Sequence, residues 1–203
     1  MGALKMTKTI QYYFVLNSPW SYFSGSRLAD IAKDKSATID LKPVMLSELF
    51  PRTGGQPLKQ RSEQRQAYRL IELQRWSRQL GLPVHLEPTF FPVDESLAVR
   101  TVLAAIDGKH DALKLVIALG AALWRDNLNL ADEQVITDVL ASLQLPVTLI
   151  QTAETQQNYS QLLSDNTSEA ISQGVFGVPS FVVGSELFWG QDRLDFLEQA
   201  LTD

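Results

Sequence analysis

Asn17-Ser18-Pro19-Trp20-Ser21-Tyr22-Phe23 follows directly on the apolar run Tyr12-Tyr13-Phe14-Val15-Leu16. The run is rich in residues that favour extended chain, and the stretch after it changes to a helical period. Ser18 therefore stands where a strand gives way to a helix, with Pro19 in the first turn. Such a junction points free backbone N–H groups at one spot and can hold an anion. As a residue type in this place, Ser18 also fits a plain N-cap. Working outward, the pattern predicts a strand over 10–16, a helix over 19–33 and a strand over 38–43. Trp20, Phe23, Leu28 and Ile31 are the expected buried face of that helix.

A second group of motifs lies near the other end of the chain. Phe176-Gly177-Val178-Pro179-Ser180 leads into Ser180-Phe181-Val182-Val183, and Glu186-Leu187-Phe188-Trp189 follows after Gly184-Ser185. Two short apolar runs around a Gly-Ser pair read as a hairpin. Trp189-Gly190-Gln191-Asp192-Arg193-Leu194 then opens a last helix carrying Leu194, Leu197 and Leu201. The order of blocks supports an α/β chain with a thioredoxin-like fold and a large all-helical insertion domain. The expected division is 7–46 plus 155–203 for the thioredoxin-like part and 47–154 for the inserted helices.

Within the insertion, Phe50-Pro51-Arg52-Thr53-Gly54-Gly55-Gln56-Pro57 is rich in turn formers and is expected as a loop over the site. A long helix is predicted over 58–80, stopped by Gly81-Leu82-Pro83. Leu73, Trp76 and Leu80 form its apolar seam, and Arg65, Tyr68, Glu72 and Arg75 a second stripe. Further helices are expected over 97–108, 111–124, 132–143 and 154–173.

The chain has 203 residues, 45% of them hydrophobic, enough to bury a substantial core. A net charge of −5 argues against a general nucleic-acid binder, which needs a basic stripe. No stretch approaches transmembrane length, and residues 1–8 lack the apolar core of a signal peptide. The expectation is a cytoplasmic protein. There is no cysteine, so the chain cannot itself perform thiol–disulfide chemistry.

The Ser-Pro-aromatic-Ser-Tyr turn at 18–22, Gly177-Val178-Pro179 and Trp189-Gly190-Gln191-Asp192-Arg193-Leu194 resemble the 2-hydroxychromene-2-carboxylate isomerase family. That family lies within the DsbA-like and kappa-class glutathione transferase superfamily. The likeness runs from about Thr9 to Leu201 and includes Tyr68 to Trp76 with Gly81-Leu82-Pro83.

What the resemblance implies is a glutathione-dependent isomerase acting on an aromatic or chromene-type carboxylate, in aromatic breakdown. Ser18 is then the catalytic residue, donating to the glutathione thiolate. No histidine base is placed beside it by the sequence, so the nucleophile is borrowed from the cofactor. Val178 and Pro179, the latter after a cis bond, are implied to pair with the cysteinyl part of glutathione. Gln191 and Asp192 are implied to bind its γ-glutamyl end. Arg65, standing where the family pattern tends to have a lysine that meets a carboxylate, is implied to bind the cofactor, and it or another cation of the insertion to hold the substrate carboxylate, although a solvated helix face explains it equally. The asparagine common in the preceding loop of relatives has no match in Thr53-Gly54-Gly55-Gln56.

Phe90, Phe91, Pro92 and Asp94 are expected along one wall of the substrate pocket, with Trp20 and Tyr22 opposite; each aromatic could also be ordinary core. No metal is expected, and a homodimer fits the family. A kappa-like glutathione transferase or peroxidase shares the same cofactor site, and a non-catalytic DsbA-like protein binding peptides at Pro179 is a third reading.

Overall fold

A computed structural model describes residues 7–202; the segment preceding Thr7, on which the expectation about a leader rests, lies outside them. Strand β1 (Thr9–Phe14), helix α1 (Pro19–Lys35) and strand β2 (Thr38–Pro43) form the opening βαβ unit. Helices α2 (Leu46–Thr53), α3 (Glu63–Leu80), α4 (Ser96–Asp107), α5 (Ala112–Trp124), α6 (Glu133–Ser142) and α7 (Thr148–Thr155) follow. Helix α8 (Tyr159–Ser172) leads to β3 (Ser180–Val183), β4 (Glu186–Trp189) and α9 (Leu194–Ala200).

The sheet runs β2-β1-β3-β4. β1 is parallel to β2, with Thr9 opposite Thr38, and antiparallel to β3, with Tyr12 opposite Phe181. β3 and β4 form the expected hairpin around Gly184-Ser185. This is a thioredoxin-like sheet with helices inserted between β2 and β3, as the block order implies.

The continuous apolar run of β1 is explained by burial on both faces. Tyr12, Phe14 and Phe181 pack into the large core with α1 and α5, whereas Tyr13, Val15 and Val182 pack with Leu49, Ala170 and Val175 under α2 and α8. Gly25 allows the close crossing of α1 and α5: a Cβ there would lie 2.8 Å from Ile117 Cγ1. α1 ends at Ser36, whose left-handed backbone (φ 53°) returns its N–H to Ala32 and Lys33.

Several expected boundaries move. β1 ends at Phe14 rather than Leu16, and Trp20 and Ile31 are only half-buried on α1. The turn-rich 50–57 segment is helical up to Thr53, with Pro51 inside α2, because burial of Leu49 outweighs the local preference and the turn waits for Gly54 (φ 78°). The helix predicted over 58–80 starts only at Glu63. A 3-10 turn at Leu58–Gln60 precedes it, and Ser62 caps the new start by accepting the Arg65 N–H at 3.4 Å.

The helix predicted over 154–173 starts only at Tyr159, and a separate helix, α7, which the sequence reading did not expect, precedes it. The two break at Gln156, whose extended carbonyl is held by Arg100 Nη2 at 2.9 Å. Among the described residues, no helix is long and apolar enough to cross a membrane.

Candidate functional site

Ser18 caps α1 from an extended backbone (φ −102°, ψ 116°), and its Oγ accepts the Ser21 N–H at 3.3 Å. The residue is buried, and its hydroxyl proton meets no acceptor among the described residues. That proton, together with the α1 amides, can be offered to an anion. No histidine hydrogen-bonds to Ser18 among the described residues, so the geometry assembles no serine–histidine nucleophile.

The approach to Ser18 is fixed by the insertion. Asn17 clamps Val93: Nδ2 donates to the Val93 carbonyl at 2.9 Å, and Oδ1 accepts the Val93 N–H at 3.0 Å. The Asn17 N–H donates to Glu95 Oε2 at 2.6 Å. Trp124 Nε1 donates to the Leu16 carbonyl at 2.9 Å. Glu95 is half-buried as a residue, with its carboxyl turned in on Asn17. Burial pushes that carboxyl up to about 7, against the pull of the Asn17 and Leu16 amides.

A second group of candidate residues comes from the C-terminal motifs. The Val178–Pro179 peptide bond is cis. The Pro179 carbonyl accepts the Gly190 N–H at 2.9 Å, which ties this corner to the start of the last helical segment. Neither the N–H nor the carbonyl of Val178 finds a partner among the described residues, so both remain open to an extended ligand.

Gly190 adopts φ 107°, where a Cβ would stand 2.5 Å from Asp192 Oδ1; only glycine lets this turn close. Asp192 Oδ2 accepts from Arg193 at 2.6 Å, whereas Oδ1 has no partner among the described residues. Gln191 is buried, with its backbone and side-chain oxygens held by Arg27 Nη1 of α1 at 3.0 and 3.3 Å. Its side-chain oxygen is thus engaged with α1.

On the insertion side, Phe91 packs against Trp124 with ring centroids 5.0 Å apart, before a cis bond to Pro92. The Arg69 guanidinium lies 5.5 Å from the Phe91 centroid and 5.9 Å from that of Trp124. Arg65 is exposed in the first turn of α3. Trp20 is half-buried beside Phe23, and Phe90 is exposed.

Tyr22 is buried, and its hydroxyl donates to the Pro83 carbonyl at 2.8 Å, making it part of the scaffold. Asp94 is exposed and accepts from the Ser96 hydroxyl and N–H at 2.6 and 3.0 Å, which hold its carboxyl below the usual range. The enclosed space under β1 and α1, lined by Phe14, Ser21 and Tyr22, is only about 10 Å³. A wider hollow of about 290 Å³, bordered by His110, lies at the other end of α4 from Glu95.

The structure ties the Val178–Pro179 corner to the turn at Gly190 that carries Asp192, and it sets Ser18 at the buried start of α1. Sequence reading gave no role to Asn17, Arg27, Arg69, Glu95 or Trp124. Their partners lie dozens to more than a hundred positions away, and no spacing rule reaches that far.

A family model for the DSBA-like thioredoxin domain matches residues 9–202. The chain is similar to the 2-hydroxychromene-2-carboxylate isomerase of Sphingobium xenophagum, with 27% identity covering 98% of this chain and 100% of the relative. A solved structure of 2-hydroxychromene-2-carboxylate isomerase superposes with a TM-score of 0.82 at 24% identity, covering 96% of this chain and 94% of the other. The cytosolic disulfide reductase DsbM of Pseudomonas aeruginosa, solved with GSH, gives 0.70 at 17% identity, covering 96% and 100%.

Proposed function

The chain belongs to the DSBA-like thioredoxin family, and from that premise we propose that it is a glutathione-dependent isomerase of 2-hydroxychromene-2-carboxylate or a similar aromatic carboxylate. The observation that carries this reading is a DsbA-type site with Ser18, rather than a cysteine, at the helix start, in a chain without any cysteine. The relatives' isomerase name and the GSH in the DsbM structure support it.

The residues present fit glutathione. The unpartnered backbone of Val178 can pair with the cysteinyl residue in strand fashion. Asp192 Oδ1 is available to an ammonium beside its Arg193 partner, and the first-turn amides can take the adjoining carboxylate. Ser18 Oγ–H donates to the sulfur and, with the α1 amides, favours the thiolate over the thiol. A free thiol titrates near ~8.5. Lowering that by one unit takes ~1.4 kcal/mol, within the range of one charge-assisted hydrogen bond. When bound, glutathione would supply a thiolate nucleophile for reversible addition to a conjugated carbon, the chemistry that would free rotation about the double bond. The chain's part is to hold the sulfur, orient the electrophile and keep water from the junction.

Calorimetric titration of glutathione tests the reading. Asp192→Ala is expected to weaken binding by about tenfold or more, a loss of roughly 1.4 kcal/mol. Ser18→Ala should bind nearly as well yet raise the bound thiol's pKa by about one unit, read from ultraviolet thiolate absorbance. If wild-type protein does not bind glutathione, the isomerase reading falls and peptide capture at Val178–Pro179 replaces it.

A further inference from the structure

Arg69 is a cation without a counter-ion. It makes no salt bridge or side-chain hydrogen bond among the described residues, although it lies against two aromatic rings. The carboxylate best placed on its own helix, Glu72 at i+3, is committed to Arg75 Nη1 at 2.6 Å. Arg61 lies within Coulombic range of both Arg65 and Arg69, so three guanidinium groups share one neighbourhood at the start of α3. Burial and the nearby Arg61 charge draw Arg69 down to about 10. A guanidinium nevertheless stays charged at neutral pH, so the direction marks a partly desolvated cation lacking an anion. Its nitrogens are not sealed: none is among the buried polar atoms left without a partner.

The position of this cation matters as much as its charge. Its aromatic floor is Trp124, whose Nε1 is fastened to the Leu16 carbonyl two residues before Ser18, and Phe91, which precedes the Val93 clamped by Asn17. A guanidinium held against aromatic rings keeps its N–H groups unspent, and arginine can offer two of them to one carboxylate. Phe91, half-buried beside it, can carry the planar body of the same ligand, whereas Trp124 is fully buried and only supports the seat.

We propose that Arg69, with Phe91 and Trp124 beneath it, is the seat for the carboxylate of an aromatic acid substrate, held beside Ser18. This rests on the isomerase reading for the reaction, but the ligand class follows from the seat itself. Arg65, exposed one turn earlier, is then left for other anionic groups.

Salicylate is a suitable probe, with salicylamide as its neutral counterpart, both titrated calorimetrically with and without glutathione. Wild-type protein is expected to prefer salicylate by about tenfold or more. Arg69→Met should abolish the preference while leaving glutathione affinity and thermal midpoint unchanged, and Arg69→Lys should restore part of it. With 2-hydroxychromene-2-carboxylate as substrate, Arg69→Met should raise KM about tenfold or more with a smaller change in kcat.

Equal binding of the two probes by wild-type protein overturns the proposal and needs no variant. So does undiminished salicylate binding by Arg69→Met. Loss of glutathione rather than salicylate in that variant would assign Arg69 to the tripeptide and also overturn it. Failure of wild-type protein to bind glutathione, with Arg69-dependent salicylate binding intact, would sink the isomerase reading and leave the carboxylate seat standing.

Discussion

Glu95 shows how one side chain near the site links folding to pH. Its ordinary value is 4.5 and its value in the fold is about 7, so the native state binds this proton more tightly than the unfolded chain does. Its contribution is most favourable below about 4.5, declines as pH rises through the interval, and reaches its full cost above about 7. Glu95→Gln should therefore be more stable than wild type at pH 8, by at most about 3 kcal/mol, with little difference at pH 4.5; urea midpoints at the two pH values check this. Asn17→Ala strips both partners from the Val93 peptide and should cost about 1–3 kcal/mol in the same assay. Ser18→Cys would install the chain's single thiol in the field of α1. Its pKa is expected roughly one unit or more below ~8.5 without glutathione present. An unshifted thiol there would mean that the helix start does not favour an anion.

Among the α-helices, α3 buries the smallest share of its residues. It has 18 residues, and of these only Leu73 is fully buried, whereas α5 buries nine of its 13. Local opening follows the extent of burial, so amide hydrogen exchange should run faster through α3 than through α5. An aromatic carboxylate that pairs with Arg69 should slow the α3 amides selectively. The strands, α1, α5 and α9 were legible in the sequence because each has a burial pattern with its own period. The α2 end, the late start of α3 and the break at Gln156 were not. There, Leu49 burial, the Ser62 cap and a hydrogen bond from Arg100 decide the outcome, and two of these three are tertiary. The same distinction divides the site. Ser18, Val178 and Pro179 announce themselves in local motifs, but the Arg27–Gln191 contact joins positions 164 apart, and Arg69 becomes a candidate only once Phe91 and Trp124 lie beneath it.

For the molecule as a whole, the insertion and the sheet share one large core: Tyr12 and Phe181 of the sheet belong to the same buried cluster as Trp124, Ile136 and Ile150 of the insertion. The proposed division at 47–154 is therefore one of chain layout, and calorimetry should show a single transition with equal van't Hoff and calorimetric enthalpies. A separate, earlier melting of the helices would contradict this. The seam at Leu16 and Asn17, where Trp124, Val93 and Glu95 attach, also bears on recombination between relatives. A chimera with its helical segment from one parent and its βαβ opening from another inherits two halves of a fastening that were never fitted to each other. Exchanging residues 16–17 together with 91–95 and Trp124 should rescue such hybrids, whereas breakpoints chosen only by domain layout should misplace the serine they were meant to preserve.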